Sequence, residues 1–229
     1  KILSGAHRAD SGQMRLLDQA YAASGDPHHA RQAGVAMIYQ ELSLAPDLTV
    51  EDNMLLGQPG GKGGLLIRSR HRDRVREVLS VVGLGELSPT ATVGRLSVAT
   101  QQLIEIARAL ISNARIILFD EPTSSLPQPD VERLFGIIRR LKEDRLGIVY
   151  ISHFLEEVRA ISDRYSVLRD GQNVGDGDIS QVSDDQIISL MVGRDVQELY
   201  PRIEHSPGRV KVAIQRLTGR PMPIDVGLE

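Results

Sequence analysis

The sequence predicts an α/β fold, a parallel sheet core with an inserted helical subdomain. Three short apolar runs, residues 34–40, 115–120 and 147–152, are continuous rather than alternating, which is typical of parallel strands covered on both faces. Between the last two runs, residues 130–144 carry apolar residues at helical spacing. These segments therefore predict a strand-helix-strand unit.

The stretch between the first and second strands shows no convincing strand. A basic segment, residues 68–76, leads into apolar positions at helical spacing, so it is interpreted as the solvated face of an amphipathic helix. A second helix is predicted over residues 100–111. Its apolar face is formed by Leu103, Ile104, Ala107, Leu110 and Ile111. Both segments indicate helical structure here.

Turn and capping signals organise the region after the third strand. Asp170 and Gly171 predict a hairpin turn, and Ser183 with Gln186 has the spacing of a helix capping box. Residues 210–218 then alternate apolar and polar side chains, which favours a new edge strand. The hydrophobic pattern near the end of the chain therefore differs from the continuous apolar runs of the three earlier strands.

These patterns predict four parts of the chain. The α/β core is assigned to residues 1–42 and 114–200, and a helical subdomain to residues 43–113. Residues 201–208 are interpreted as a linker, and residues 209–229 as the start of a second domain.

Composition restricts the classes of function. The 229 residues are 41% hydrophobic, enough for a buried core, and no apolar run approaches the ~20 residues that span a bilayer. The N-terminal sequence lacks the plan of a signal peptide, so a membrane role is expected to act through a protein partner. A net charge of −3 gives no electrostatic footprint for nucleic acid. The absence of cysteine excludes disulfides and thiolate zinc sites and fits a cytoplasmic protein.

Two adjacent acids end the second predicted strand, in the sequence RIILFDEPTSSLP. Asp120 and Glu121 would lie at the carboxyl end of the strand, where open α/β sheets bind their ligands. In P-loop NTPases an acid at this place holds Mg²⁺, and a following acid can orient or deprotonate the attacking water. An Asp-Glu pair can also be an ordinary turn, but Pro122 and Thr123 make the motif more specific.

Three further polar residues follow strands or begin a helix. His153 ends the third strand and could contact a γ-phosphate, although an ordinary surface histidine fits as well. Gln40 could reach Mg²⁺ or water, or it could simply end the first strand with a polar group. Ser97 is placed to cap the helix that follows it, and a capped helix N-terminus also binds phosphate oxygens.

The glycine-rich phosphate loop expected with such acids is not found in the sequence. The pair Gly61-Lys62 is followed by Gly63 where Ser or Thr is required, and Leu56 occupies the place of the first glycine. This segment is interpreted as a flexible loop tip.

Taken together, these residues resemble the ATP-binding subunits of ABC transporters, most closely the tandem ATPase proteins of bacterial ribose, xylose and galactose importers. The matching stretches, in family order, are KILSG, GVAMIYQELSLAPDLTVEDNMLLG, LSVATQQLIEIARAL, IILFDEPTSSL, GIVYISH, VLRDG and MVGR. The resemblance covers roughly residues 1–200 and implies a P-loop NTPase (RecA-like) core with ATP and Mg²⁺ as cofactors. In this family KILSG directly follows the phosphate loop, so Lys1 is expected to lie just after it.

The resemblance implies roles for individual residues. Glu121 matches the catalytic glutamate and His153 the switch histidine. Gln40 and Asp120 match the Q-loop and Walker B residues, which contact nucleotide and Mg²⁺, partly through water. The signature motif, which contacts the nucleotide of an opposing ATPase domain, is matched by Ser97, Ala99 and Gln101.

Departures from the family pattern leave alternatives. The usual Gly-Gly of the signature is absent, since Val98, Ala99 and Thr100 follow Ser97, and Pro127 replaces the usual D-loop residue. The leading hypothesis is an ATPase that powers sugar import, with permease subunits, a second ATPase domain and a periplasmic sugar-binding protein as partners. It is expected at the cytoplasmic face of the bacterial inner membrane.

Two other classes of protein are alternatives to this hypothesis. The chain could be an inactive fragment or docking module that cannot bind ATP without a phosphate loop. An ABC ATPase of DNA repair or chromosome maintenance is disfavoured because no sustained heptad repeat occurs.

Overall fold

The structure is a computed structural model that describes residues 1–16, 18–22, 25–58, 68–193, 213–218 and 226–228. Its strands are β1 (Met14–Leu16), β2 (Gln19–Tyr21), β3 (Val35–Ile38), β4 (Ile116–Asp120), β5 (Gly147–Ile151), β6 (Arg164–Arg169), β7 (Gln172–Asp178), β8 (Ile214–Leu217) and β9 (Val226–Leu228). Its helices are α1 (Pro27–Gln32), α2 (Val50–Leu55), α3 (Arg68–Val81), α4 (Val98–Ile111), α5 (Gln128–Glu143), α6 (Leu155–Ile161) and α7 (Asp184–Val192). None of the helices in these ranges combines the length and hydropathy needed to span a bilayer.

The central sheet has the parallel order β3–β4–β5, with α5 connecting β4 to β5. This confirms the three predicted strands and the strand-helix-strand unit. In the middle strand, Ile117 and Phe119 lie on the same face and are fully buried in the core that this face shares with α4 and α5. Leu118 lies on the opposite face and is buried in a second cluster with Ala30 and Val35. The apolar stripe of α5 is buried as its spacing predicts.

Strand β5 departs from the prediction of strands covered on both faces. Val149 and Ile151 are 41% and 42% exposed, and exposed residues alternate with partly buried ones along the strand. The prediction was wrong here because a continuous apolar run reports hydrophobicity but not which face of a strand is covered. Within the described ranges, β5 lies at the edge of the sheet.

The region between β3 and β4 is helical, as predicted, and shares one hydrophobic core with the sheet. The basic segment begins α3, whose Val75, Val78 and Leu79 are buried. Helix α4 is buried more widely than its predicted apolar face, because Glu105 and Ile106 are also inaccessible. This helix contacts α2, α3 and β3, so it is enclosed on several sides.

Two hairpins lie outside the central sheet. The β1–β2 hairpin was not predicted, since its strands are only three residues long. The β6–β7 hairpin turns at Asp170 and Gly171, as predicted. Both turn residues have positive φ, 51° and 75°, which matches a two-residue turn of the type that suits twisted strands.

The chain divides into two compact units, Lys1–Ser166 with Asp176–Val182, and Val167–Gly175 with Ser183–Glu229. In the second unit, Ser183 and Gln186 form the predicted capping box of α7. Strand β8 lies within the stretch whose alternation predicts a strand. The linker at residues 201–208 falls outside the described residues, and the assignment of the domains stays a prediction.

Buried Asn53 fixes the loop that precedes α2. Its Oδ1 accepts the Ala45 N–H at 2.8 Å, and its Nδ2 donates to the carbonyls of Ala45 and Thr49, both at 3.0 Å. The side chain is fully buried, so its loss would leave the Ala45 N–H without an acceptor, whereas both carbonyls keep a backbone N–H donor.

We expect Asn53→Ala to lower the free energy of unfolding by about 2 kcal/mol, since unsatisfied buried polar groups carry their desolvation cost. Urea denaturation of the chain measures this change. The exposed Glu86→Ala variant is the control and should stay within about 0.5 kcal/mol of the unsubstituted chain. Equal stabilities of the two variants would contradict the role assigned to Asn53.

Candidate functional site

The carboxyl ends of β3, β4 and β5 meet at one edge of the sheet. The parallel register pairs Ile38 with Phe119 and Asp120 with Ile151. The residues that follow each strand are therefore brought to the same edge, which is where open α/β sheets bind ligands.

Glu121 is at the centre of this edge. Its Oε2 accepts a hydrogen bond from Gln40 Nε2 at 3.4 Å, and its Oε1 lies 3.2 Å from His153 Nδ1. The structure thus brings together three of the residues that the sequence singled out. The contact with His153 is at the upper end of the usual hydrogen-bond range and the contact with Gln40 is longer, so Glu121 is oriented without being tightly held.

The contact with His153 fixes which ring nitrogen carries hydrogen when Glu121 is ionised. A carboxylate can only accept a hydrogen bond, so Nδ1 of His153 must be the donor. The other nitrogen, Nε2, is then left for a ligand. The side chains of His153 and Glu121 are 55% and 32% exposed, so water or substrate can reach both.

The backbone of Glu121 is in a sparsely populated conformation. Its φ of 47° lies in the left-handed region, which costs about 1 kcal/mol or more for a residue with a Cβ. The Glu121 N–H donates to the Ile151 carbonyl at 3.0 Å, which continues the pairing of β4 with β5 past the last residue of β4. Backbone strain of this kind is concentrated at functional sites.

Asp120 ends β4 directly before Glu121 and is partly buried. In the part of the chain that the structure describes, no side chain pairs with its carboxylate. No three His, Cys, Asp or Glu side chains of that part are grouped so that they could hold a metal ion. A cation at Asp120 would need further oxygens from a ligand and from water, which is the usual way that proteins bind Mg²⁺.

The predicted signature residues form a separate group at the start of α4. The Ser97 hydroxyl accepts the Thr100 N–H at 3.3 Å, so the N-cap prediction is confirmed. Gln101 Nε2 donates to the Leu96 carbonyl at 2.9 Å, and Ala99 lies partly buried in the first turn. These side chains contact their own turn, and no described hydrogen bond joins them to Glu121.

A buried polar cluster connects α4 with the loop after Gln40. Glu105 Oε1 accepts the Ser43 N–H at 2.6 Å and the Ser43 hydroxyl at 2.8 Å. Arg108 lies 3.4 Å from the same oxygen and donates to the Ser43 carbonyl at 3.1 Å. Burial lowers the pKa of Arg108, whereas the charge of Glu105 raises it.

This cluster was not predicted from the sequence. The available signal was a glutamate between two isoleucines of an apolar helix, because a charge in such a place needs a buried partner. Tyr150 and Glu157, which contact each other beside His153, were not predicted either. The identity of their partners depends on contacts that periodicity does not encode.

The architecture is that of the ATP-binding cassettes of ABC transporters. It resembles the ADP conformation of MJ1267, an ATP-binding cassette of an ABC transporter, with a TM-score of 0.68 and 22% identity over 88% of this chain and 81% of that one. The family profile described as ABC transporter matches residues 1–124 of the 229. The chain belongs to this family.

Relatives in sequence are ribose import proteins. The chain is 41% identical to the ribose import ATP-binding protein RbsA of Chromobacterium violaceum over 229 residues, all of this chain and 45% of that protein. It is 46% identical to ribose import ATP-binding protein RbsA 1 of Burkholderia ambifaria over 211 residues, 90% of this chain and 40% of that protein. The chain thus spans less than half the length of these curated relatives.

Proposed function

We propose that this chain is part of a protein that binds and hydrolyses ATP to power the import of a sugar. The observation that carries the proposal is the cluster at the sheet edge, where Glu121 contacts both Gln40 and His153. The ribose import proteins to which the chain is similar support the choice of a sugar importer. Ribose is the first sugar to test.

In the proposed reaction, Glu121 orients the attacking water and accepts its proton. A carboxylate that is one-third exposed is accessible to water, while its two hydrogen bonds restrict its rotation. Positioning of this kind contributes strongly to phosphoryl transfer, because there is little covalent chemistry for the protein to perform.

His153 and the cation-binding residues act on the phosphate. With Nδ1 engaged by Glu121, the Nε2 of His153 can contact the γ-phosphate. Asp120 and Gln40 would hold Mg²⁺, partly through water, and the cation supplies neutralisation of phosphate charge. Their side chains fit this role because they offer carboxylate and amide oxygens next to Glu121.

Ser97, Ala99 and Gln101 are proposed to contact the nucleotide of an opposing ATPase domain. The 14-residue helix α4 gives its N-terminus a favourable interaction with phosphate oxygens. Val98 and Ala99 carry side chains where the family usually has backbone-exposing glycine, so approach to the phosphate is expected to be less close.

The proposed partners follow from this mode of action. They are transmembrane permease subunits, a second ATPase domain and, through the permease, a periplasmic sugar-binding protein. The proposed location is the cytoplasmic face of the bacterial inner membrane.

The test is reconstitution of the whole protein with its permease in lipid vesicles. We expect Mg²⁺-dependent ATP hydrolysis that increases when the ribose-loaded binding protein is added, because the transport cycle couples ATP hydrolysis to sugar import. If the rate of hydrolysis does not respond to the binding protein loaded with ribose, xylose or galactose, sugar import would be contradicted. The absence of any hydrolysis would contradict the ATPase assignment.

A further inference from the structure

Glu157, in the first turn of α6, accepts two side-chain hydrogen bonds with one oxygen. The Tyr150 hydroxyl donates to its Oε2 at 2.9 Å and the Ser152 hydroxyl at 2.8 Å. Both donors precede His153, one at the end of β5 and one directly beside it. A single carboxylate oxygen therefore connects the start of α6 with the chain that leads into His153.

The residue on the other side of His153 belongs to the same network. The Ser152 hydroxyl accepts the Phe154 N–H at 2.9 Å while it donates to Glu157. Both neighbours of His153 are thus fixed by one hydroxyl, whose direction is set by the carboxylate. His153 itself makes no contact with Glu157 among the hydrogen bonds of the described residues.

The network also reaches the loop that carries Glu121. Thr123, buried and two residues after Glu121, acts on the Tyr150 hydroxyl, whose pKa it lowers. The Tyr150 ring packs against Phe119 and Phe135, with 6.2 Å between ring centroids in each pair. Burial, and then Glu157, raise the pKa of Tyr150 although Thr123 lowers it, so the phenol remains a donor.

We propose that Glu157 is a positioning residue that holds His153 against Glu121 by fixing the Ser152–Phe154 turn. This rests on the proposed ATPase function. Glu157 lies outside the reacting groups and acts only through the turn. Removing its carboxylate frees the Ser152 hydroxyl to rotate, and the Phe154 N–H then loses its fixed acceptor.

The chain offers a matched control for this proposal. Glu156 precedes Glu157 in the first turn of α6 and is exposed, with no side-chain contact among those described. Both acids interact similarly with the N-terminal end of the helix. Comparing Glu157→Ala with Glu156→Ala therefore separates the effect of losing the hydrogen-bond network from the effect of losing a negative charge at the start of α6.

We expect Glu157→Ala to lower kcat of the whole protein about tenfold with KM changed less than twofold, because misplacement of a catalytic group slows the chemical step. Glu156→Ala should retain full activity. Glu157→Gln should restore most of the rate, since one amide oxygen can accept both hydroxyls. Equal rates of the two alanine variants would overturn the proposal.

Two further measurements separate positioning from general stability. In a His153→Ala background, adding Glu157→Ala should cause no further loss, whereas an undiminished tenfold loss would overturn the proposal. In the 229-residue chain, NMR should show faster hydrogen exchange of the Phe154 amide in Glu157→Ala but not in Glu156→Ala. Unchanged exchange of the Phe154 amide in Glu157→Ala would contradict the positioning role. If exchange is faster in this variant but the unsubstituted whole protein does not hydrolyse ATP, only the proposed function would be contradicted.

Discussion

Glu121→Gln in the whole protein should lower kcat for ATP hydrolysis by about 10²–10⁴-fold, the contribution of a general base. Glutamine has the shape of glutamate but cannot accept the proton of the attacking water. The affinity for Mg-ATP should stay within about twofold, because the residue's proposed role is in the chemical step and not in ground-state binding. Single-turnover hydrolysis and equilibrium nucleotide binding measure the two quantities.

The geometry makes this substitution informative. Both carboxylate oxygens of Glu121 are engaged, one by Gln40 and the other by His153, and glutamine can still accept one of these bonds. The backbone cost of the positive φ is the same for both residues, so stability should change little. Glu132→Gln, at an exposed position of α5, is the control and should keep the full rate. Unchanged hydrolysis in Glu121→Gln would remove Glu121 from the role of base.

The part of the fold that could be predicted from the sequence is the part set by local pattern. The runs that form β3 and β4 are apolar throughout, and α5 has an apolar residue at nearly every third or fourth position. Because parallel strands end at the same edge, their order along the chain also predicted that Gln40, Glu121 and His153 would lie together.

The rest depends on contacts between distant residues. Whether β5 is covered on one face or both is decided by which elements pack on it, not by its own residues. The left-handed backbone of Glu121 and the link from Glu157 to Tyr150 are likewise invisible to periodicity. Polar side chains inside or beside the core find partners that only the folded chain supplies.

Two Arg-Glu pairs with the same three-residue spacing show how burial decides the strength of an ion pair. On α3, Arg74 lies 2.9 Å from Glu77, but the two side chains are 46% and 63% exposed. On α4, Arg108 lies 3.4 Å from Glu105, at 23% and 1% exposure. Although the Arg74–Glu77 distance is shorter, this pair should contribute less to the stability of the fold, because water screens the attraction between its charges.

We therefore expect Glu105→Ala to lower the free energy of unfolding by about 3–5 kcal/mol, the usual cost of removing one partner of a buried pair. The variant leaves Arg108 without its counter-charge and the Ser43 N–H without its acceptor. Glu77→Ala should change the same quantity by less than about 1 kcal/mol. Urea denaturation of both variants measures the difference.

Glu105→Gln tests which part of the loss is electrostatic. It keeps an oxygen for Ser43 but removes the charge and places an amide where Glu105 Oε2 is buried without a hydrogen-bond partner. We expect Glu105→Gln to lower the free energy of unfolding by more than Glu77→Ala but by less than Glu105→Ala. It should still be destabilising because a buried unpaired N–H₂ group is itself unfavourable. Since Ser43 follows Gln40 by three residues, Glu105→Ala should also speed hydrogen exchange of the Ser43 amide. A Glu105→Ala chain as stable as Glu77→Ala, with Ser43 still protected, would show that α4 does not hold this loop.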